Sequence, residues 1–141
     1  MPRKYLEALY REGQTANPLF NTLRARLVRA EAGEAEIRMT TSRDFVQGGG
    51  MVAGGILATL ADEAMAHAVL SVLPEGKRTV TSEMNIRYLR GATVETAGDL
   101  VARARLVRHG KHICVAEAQL FDSAERPLSV AGASFFLLDE S

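Results

Sequence analysis

One stretch of the chain, residues 56–72, contains neither glycine nor proline and is rich in Ala, Leu and Met, which are strong helix formers. Apolar residues cover nearly the whole circumference of such a helix: Ile56, Leu57, Leu60, Ala61, Ala64, Met65, Ala68, Val69 and Val72. A helix without a broad polar face is a buried helix. The sequence therefore predicts a central helix over 56–72, around which the rest of the chain must pack.

The chain after this helix alternates between apolar and polar residues in the manner of β-strands. The alternation predicts four strands: a first with Val80, Ser82, Met84, Ile86 and Tyr88 on one face, a second with Leu100, Ala102, Ala104 and Leu106, a third with Cys114, Ala116, Ala118 and Leu120, and a fourth over residues 128–138. Short turns at residues 109–111 and 122–127 separate the last three. Strands so closely spaced indicate an antiparallel meander.

The segment before the central helix contains two further elements. Leu6, Leu9 and Tyr10 are spaced for a short amphipathic helix, which we expect Asn17-Pro18 to end because the residue before proline avoids the helical conformation. Residues 23–30 and 34–41 alternate on either side of a turn, which predicts a β-hairpin. We therefore expect an α+β fold, with a curled antiparallel sheet wrapped around one long central helix. We assign residues 1–22 to an N-terminal helical segment and residues 23–141 to a single domain.

Length, charge and cysteine content exclude several classes of function. A chain of 141 residues is long enough for one domain. Its 17 Lys and Arg balance 17 Asp and Glu, so it lacks the basic excess of a general nucleic-acid binder. Cys114 is the one cysteine, which excludes an intrachain disulfide and a cysteine-rich metal site. With no apolar leader and no apolar stretch of membrane-spanning length, we expect a soluble, cytoplasmic protein with neither nucleic-acid nor membrane partners.

Two glycines, Gly54 and Gly55, precede the central helix. The first backbone N–H groups of a helix have no partner within it, and the helix dipole adds partial positive charge there. Because glycine lets a ligand approach the backbone closely, a carbonyl oxygen or an oxyanion could be held at this point. The alternative is that these glycines serve only the turns of a loop.

Asp62 and Glu63 are the acidic residues within the apolar helix. An ionised carboxylate that is buried without a partner is costly, so such groups are usually paired, shifted in pKa or functional. Either acid could pair with an arginine of a facing strand, and Glu63 could also pair with His67 four positions on. We expect a structural role for Glu63 and leave both roles open for Asp62.

The spacing of Gly54 and Asp62 bears on any site that uses both. Asp62 follows Gly54 by eight positions, a rise of about 12 Å along a helix. The Asp62 carboxylate therefore cannot reach an oxygen bound at Gly54 of the same chain. If both groups serve one site, one subunit must supply the N–H groups and another the carboxylate. A two-fold dimer creates two such composite sites by symmetry.

Other catalytic signatures are absent from the sequence. It contains no G-x-S-x-G elbow, no G-x-x-x-x-G-K-[ST] phosphate loop, no H-E-x-x-H zinc motif and no dinucleotide fingerprint. His67, His109 and His112 do not form the pattern of a Ser-His-Asp site. Asp62, Glu63 and His67 could supply metal ligands, but we predict no metal site.

Residues 47–62, QGGGMVAGGILATLAD, resemble the signature of the PaaI-like hotdog-fold thioesterases, which is N-x-x-G-x-x-H-G-G followed after six residues by Asp. Residues 81–90 look like the strand that follows the helix in that family, and residues 107–111 and 130–133 also fit its pattern. The similarity covers about residues 18–138.

The resemblance implies hydrolysis of acyl-coenzyme A thioesters by a homodimer, or by a tetramer of two dimers. Asp62 would be the catalytic carboxylate, as nucleophile or as general base for water, and Gly54 with Gly55 would hold the thioester carbonyl. Thr81 would position the attacking water or the carboxylate. Coenzyme A would enter as part of the substrate, with no separate cofactor.

Two positions depart from the family signature. Gln47 replaces the usual Asn and remains an amide that can form hydrogen bonds, whereas Ala53 replaces the usual His and has no side-chain donor. The missing histidine leaves open a non-catalytic acyl-coenzyme A-binding or regulatory domain of the same fold. A hydratase or dehydratase of this fold is disfavoured, because no histidine lies near Gly54 in the sequence.

The phosphates of coenzyme A would need cations at the mouth of the site. The candidates are Arg87, Arg90, Arg108 and Lys111, each of which could instead be a solvated strand or turn residue. Candidates for the acyl pocket are Met51, Val52 and Met65, and the sequence is compatible with both medium-chain and aromatic acids.

Overall fold

Six strands and four α-helices make up the part of the chain that the structure, a computed structural model, describes, residues 2–141. The helices are α1 (Pro2–Leu9), α2 (Pro18–Leu23), α3 (Gly54–Leu70) and α4 (Val94–Ala97), and a short 3-10 helix covers Arg43–Phe45. The strands are β1 (Ala25–Glu31), β2 (Glu34–Thr40), β3 (Lys77–Tyr88), β4 (Asp99–His109), β5 (Ile113–Phe121) and β6 (Pro127–Asp139).

The strands form one antiparallel sheet in the order β1-β2-β4-β5-β6-β3. The sheet curls around α3, which packs against every strand. Side chains of α3 and of the inner face of the sheet fill the core, among them Ile37, Leu60, Met65, Leu100 and Phe135. The predicted α+β fold, a curled antiparallel sheet around one long helix, is confirmed.

The helix α3 covers residues 54–70, whereas the sequence predicts 56–72. Its alanines at 61, 64 and 68 are fully buried, which lets the strands approach closely. The expectation that the helix is buried nearly all round is wrong within a single chain. Ile56, Thr59, Asp62, Glu63 and Ala66 are only half-buried, and their spacing of three and four positions makes them one stripe along α3.

The structure of the hairpin and of the N-terminal segment agrees only in part with what the sequence predicts. The hairpin of β1 and β2 is confirmed, and Ala32 and Gly33 join its strands with φ values of 51° and 81°. The short helix around Leu6 and Leu9 is also confirmed, as α1. The expectation that Asn17-Pro18 ends a helix is wrong, because this pair starts α2. The Asn17 side chain caps the N-terminus of α2, and the fixed φ of Pro18 suits its first turn.

The first predicted strand, β3, contains a β-bulge that changes which residues share a face. Thr81 pairs with Phe135 of β6, but the next pair joins Glu83 to Ser134, so Ser82 is the extra residue. The prediction that Val80 and Ser82 share a face with Met84, Ile86 and Tyr88 is therefore wrong. The residues that point towards α3 are Thr79 and Thr81 before the bulge and Met84, Ile86 and Tyr88 after it.

The strand β3 is also an edge of the sheet. Within residues 2–141, β6 is its one strand partner, so the backbone groups along its outer side are unpaired by the chain itself. None of its side chains is fully buried. A long, unpaired edge is a template for pairing with another chain.

Among the described residues, no helix has the length and apolar character needed to cross a membrane.

Candidate active site

The helix α3 begins with backbone N–H groups for which residues 2–141 provide no acceptor. Its N-cap residue is Ala53, whose backbone lies outside the helical region (φ −60°, ψ 137°) and whose side chain makes no capping hydrogen bond. The Ile56 and Leu57 N–H groups donate to the Ala53 carbonyl oxygen, at 3.0 and 3.3 Å. In the chain from residue 2 onward, no acceptor faces the N–H groups of Gly54 and Gly55. This end of α3 can therefore hold an oxygen atom that carries negative charge.

A tight loop carries Gln47 up to this end of the helix. Val46 and Val52 form an isolated antiparallel bridge across the loop. Gly50 adopts φ +86°, a conformation that favours glycine, so the glycine run at least partly serves this turn. The Gly49 N–H donates to Oε1 of Gln47, which leaves the side-chain NH2 group of Gln47 as a donor.

Asp62 lies farther along α3, beside the edge strand β3. The Thr81 hydroxyl donates to Oδ1 of Asp62 at 2.7 Å. The two residues meet because the bulge at Ser82 leaves Thr81 on the helix side of β3. Asp62 is half-buried and Thr81 is exposed, so the expectation that Asp62 is buried with the rest of the helix is met only in part within one chain. The carboxylate lies beside the open edge of the sheet.

Gly54 and Asp62 belong to the same unbroken helix. The rise between them is about 12 Å, so one chain does not bring its own helix start and its own carboxylate to one substrate atom. The helix start and Asp62 are each linked to β3, because the Tyr88 hydroxyl donates to the Gly54 carbonyl oxygen at 2.6 Å and the Thr81 hydroxyl donates to Asp62. The free edge of β3 thus carries both halves of the candidate site.

Glu63 and His67 form a buried polar network with the N-terminal segment. Nε2 of His67 lies 2.9 Å from the Tyr5 hydroxyl, and Nδ1 lies 2.6 Å from the Glu63 carbonyl oxygen. The Asn17 amide donates to the Tyr5 oxygen at 2.9 Å and to Oε2 of Glu63 at 3.2 Å. A neutral His67 that donates from Nδ1 and accepts at Nε2 satisfies every one of these contacts. Glu63 thereby ties α3 to the N-terminal segment, in keeping with the structural role expected of it.

The charge states within this network follow from burial. His67 is 2% exposed, and burial lowers its pKa to about 4, although the hydrogen bond to the Glu63 carbonyl opposes the shift. Burial also raises the pKa of Glu63, against the hydrogen bond from Asn17 and together with the nearby charge of Asp62. His67 is therefore neutral at neutral pH and unsuited to hold an anion.

Acid is expected to weaken the fold through His67. The unfolded side chain takes up a proton near pH 6.5 and the folded one only near 4, so the free energy of unfolding falls as the pH drops between these values. The raised pKa of Glu63 acts in the opposite direction above pH 4.5. His67→Phe removes the first effect only, and its ring fits beside Tyr5 and Phe20, whose centroids lie 5.6 and 5.2 Å from that of His67. Between pH 6.5 and 4, the free energy of unfolding from denaturant titrations should fall by about 3 kcal/mol more in the parent than in the variant. An equal fall in the two proteins would contradict the lowered pKa of His67.

A cavity of about 340 Å³ lies beside the start of α3. Its apolar wall consists of Met51, Val52, Leu57, Tyr88, Leu89 and Ala92, and Gln47, Gly54, Arg90 and Gly91 complete it. Met51 and Val52, the predicted candidates for an acyl pocket, both lie in the wall of this cavity. Met65 does not line this cavity, because it is on the core face of α3 and is fully buried.

Tyr88 is the cavity residue that sequence reasoning missed as a functional candidate. A Cβ atom added at Gly54 would lie 3.1 Å from Cζ and from the hydroxyl oxygen of Tyr88, so the ring rests directly on this glycine. The alternation of β3 indicates that Tyr88 faces the helix with Met84 and Ile86. Its place next to Gly54 depends on how β3 returns past the start of α3, for which the sequence holds no local signal.

The four predicted phosphate-binding cations are not brought together by one chain. Arg90 lines the cavity beside Gly54. Arg87 pairs with Val130 on the outer face of the sheet. Arg108 and Lys111 lie at the exposed β4–β5 turn, at the same end of the sheet as Thr81. The described residues also contain no cluster of three or more His, Cys, Asp and Glu side chains suited to a metal ion.

Comparison with known proteins gives matches in sequence and in fold. The model of the family described as "Thioesterase superfamily" matches residues 49–128. A curated relative, a "Putative esterase" of Halobacterium salinarum, is 38% identical over 101 residues, which cover 68% of this chain and 64% of the relative. The matched region thus spans less than two thirds of that relative's length.

Solved structures match the whole fold. The PaaI protein of the E. coli phenylacetic acid degradation operon has a TM-score of 0.83 and 23% identity, over 99% of this chain and 95% of that one. A "phenylacetic acid degradation-related protein" of Ralstonia eutropha has a TM-score of 0.83 and 27% identity, over 94% and 98%. A "hypothetical thioesterase protein" of Streptococcus pneumoniae, solved with coenzyme A, has a TM-score of 0.74 and 21% identity, over 82% and 87%.

Proposed function

Because the chain belongs to the thioesterase superfamily, and its resemblance to the PaaI-like hotdog proteins is confirmed, we propose that it hydrolyses acyl-coenzyme A thioesters to a free acid and coenzyme A. The observation that carries the proposal is that one edge strand is linked to two complementary groups. Thr81 holds the Asp62 carboxylate, and Tyr88 contacts the helix start, whose first N–H groups find no acceptor in the described part of the chain. A carboxylate and an oxyanion-binding helix end are the two groups that acyl transfer to water requires.

The proposed chemistry uses the helix end to bind the thioester carbonyl oxygen and Asp62 to deliver water. The Gly54 N–H, aided by Gly55 and by the Gln47 amide, stabilises the negative charge that develops on the carbonyl oxygen. Asp62 takes a proton as the water oxygen bonds to the carbonyl carbon. The carbon–sulfur bond then breaks, and the proton passes to the departing sulfur. If Asp62 instead attacks the carbon directly, water later cleaves the mixed anhydride, and the products are the same.

The proposed enzyme is a homodimer that pairs along β3. Two β3 edges that pair antiparallel, centred midway between Thr81 and Tyr88, would bring Thr81 of one protomer opposite Tyr88 of the other. Because Thr81 holds Asp62 and Tyr88 contacts Gly54, this pairing joins one protomer's carboxylate to the other's helix start. Two identical sites result, and two such dimers would form the proposed tetramer.

The charge distribution around such a composite site supports coenzyme A as the carrier of the acyl group. Arg90 lines the cavity at Gly54, and the β4–β5 turn with Arg108 and Lys111 lies at the Asp62 end of the sheet. In a two-fold dimer these cations would approach one site from different protomers. Phosphate groups bind Arg and Lys through charge-assisted hydrogen bonds. A structural neighbour solved with coenzyme A is in keeping with this proposal, in which the coenzyme is part of the substrate and no separate cofactor is needed.

A second candidate is a non-catalytic acyl-coenzyme A-binding or regulatory domain. The specific observation in its favour is Ala53 at the N-cap of α3, since it supplies no hydrogen bond to the thioester. The Asp62–Thr81 pair argues against it, because binding alone requires no such carboxylate.

Thiol release separates the two candidates. We expect the purified protein to liberate coenzyme A from at least one member of a panel of short, medium, long and aromatic acyl-coenzyme A thioesters, detected with a thiol-reactive dye. The Gly54 N–H groups and the Asp62 carboxylate supply the chemistry for this result. Heat released on binding the same compounds, with no free thiol over hours, would support the binding domain and contradict the hydrolase.

A further inference from the structure

Tyr88 takes no part in the chemistry proposed above, yet it forms the cavity wall next to the helix start. We infer that Tyr88 is a specificity-determining residue that restricts the acyl group to short, medium-chain or single-ring aromatic acids and excludes long linear chains. The inference rests on the proposed function, because it concerns the acyl part of the same thioester.

Two contacts fix the Tyr88 side chain in place. Its hydroxyl donates to the Gly54 carbonyl oxygen at 2.6 Å, and its ring lies so close to Gly54 that an added Cβ would approach it to 3.1 Å. Its backbone is held in the sheet by pairing with Ser129 of β6. A ring fixed at its tip and at its backbone cannot swing aside as a free side chain would.

Gly54 and Tyr88 line the same cavity, and the ring lies next to Gly54. The Gly54 N–H is the proposed donor to the thioester carbonyl oxygen. An acyl group that extends from this carbonyl into the cavity would therefore pass along the ring. Tyr88 is 49% exposed in a single chain, and in the proposed dimer this surface would lie between the partner's β3 and the acyl group.

Met51, another residue of the cavity wall, is less rigidly held than Tyr88. Met51 lies flat on Gly91, where an added Cβ would overlap its sulfur atom, and 43% of Met51 is exposed. A thioether side chain adapts to several shapes, whereas the tethered ring does not. One chain lines about 340 Å³ of this cavity, which the partner's β3 would complete in the proposed dimer. A rigid ring beside the path of the acyl chain favours a compact acyl group.

The test compares kcat/KM for hexanoyl-, phenylacetyl- and palmitoyl-coenzyme A in the parent, Tyr88→Phe and Tyr88→Ala. We expect the parent to favour the two compact substrates over palmitoyl-coenzyme A by at least about tenfold. Tyr88→Ala should raise the palmitoyl-to-hexanoyl ratio by about tenfold, while Tyr88→Phe, which keeps the ring but frees its tip from Gly54, should raise it by less, about two- to fourfold. Tyr10→Ala removes another half-exposed tyrosine, away from the cavity, and should leave the ratio unchanged.

Two results would overturn the inference: an unchanged ratio in Tyr88→Ala, or a parent that already prefers palmitoyl-coenzyme A. Tyr88→Leu replaces Tyr88→Ala if thermal melting shows that the latter is unfolded. A parent that releases no thiol from any of the three compounds contradicts the hydrolase proposal instead. The selectivity is then measured as the ratio of calorimetric Kd values for the same compounds and variants. The same tenfold change is expected, and its absence overturns the inference.

Discussion

Asp62→Asn is expected to lower kcat/KM for thioester hydrolysis by about 10²–10⁴-fold, because an amide can neither take the proton of an attacking water nor attack the thioester itself. The variant keeps an acceptor for the Thr81 hydroxyl, which lies 2.7 Å from the carboxylate, so the fold should remain intact. The loss should appear mainly in kcat, as for a group that acts on the transition state. Steady-state thiol release on the parent's best substrate measures it.

Glu63→Gln is the matched control, since it makes the same acid-to-amide change on the next residue of α3. The Glu63 side chain accepts a hydrogen bond from Asn17 and serves the N-terminal network, so this variant should keep nearly the parent's kcat/KM.

Thr81→Val removes the hydroxyl that holds Asp62 and should lower kcat/KM about 10- to 100-fold. Undiminished turnover by Asp62→Asn on every substrate of the parent would exclude Asp62 from catalysis.

Sequence patterns predict the strands best where the two faces of the sheet differ. In β4, Ala102 and Ala104 face α3 and are buried, while Arg103 and Arg105 lie on the outer face, so alternation alone identifies the inner side. In β3 the alternation fails, because Ser82 forms a bulge and the whole strand lies at an exposed edge. The extra residue of a bulge cannot be recognised from apolar–polar alternation when neither face of the strand is fully buried.

The short helices are harder to predict from the sequence than the long central one, and neither α2 nor α4 is among the predicted elements. Asn17-Pro18 suits the end of one helix and the start of another equally well, since Pro is disfavoured after a helical residue and favoured in a first turn. Only the packing of Phe20 and Leu23 in the core decides for the start of α2. The central helix was evident from its length and its apolar residues, and its start at Gly54 differs from the predicted one by half a turn.

The candidate site was visible in the sequence where a residue contradicts its surroundings. An acid in an apolar helix marks Asp62, and a glycine pair at a helix start marks Gly54. Thr81 came from the family resemblance, and Tyr88 was missed, because both act through positions that only the register of β3 against α3 determines. The half-buried state of Asp62 could not be predicted either, since it depends on an edge that the chain itself leaves open.

Co-expression of Asp62→Asn and Gly54→Pro subunits is expected to restore about a quarter of the parent's activity, although neither variant is active alone. Gly54→Pro removes one N–H donor at the first position of α3, where proline is tolerated, and the ψ of 137° at Ala53 suits a following proline. Loss of one such donor should cost about 10²–10³-fold in kcat. Gly54→Ala is the matched control, because it places the same Cβ 3.1 Å from Tyr88 but keeps the N–H.

The figure of a quarter follows from a site that two subunits share. Random pairing makes about half of the dimers mixed, and in each mixed dimer one of the two sites joins an intact Asp62 to an intact Gly54. If one chain supplied both groups, every subunit of either kind would lack one of them, and mixing would restore nothing. The rise of about 12 Å between these residues along α3 excludes that arrangement for a substrate atom held at Gly54. Mixed dimers isolated through two affinity tags and found inactive, or a parent that sediments as a monomer at full activity, would therefore refute the shared site.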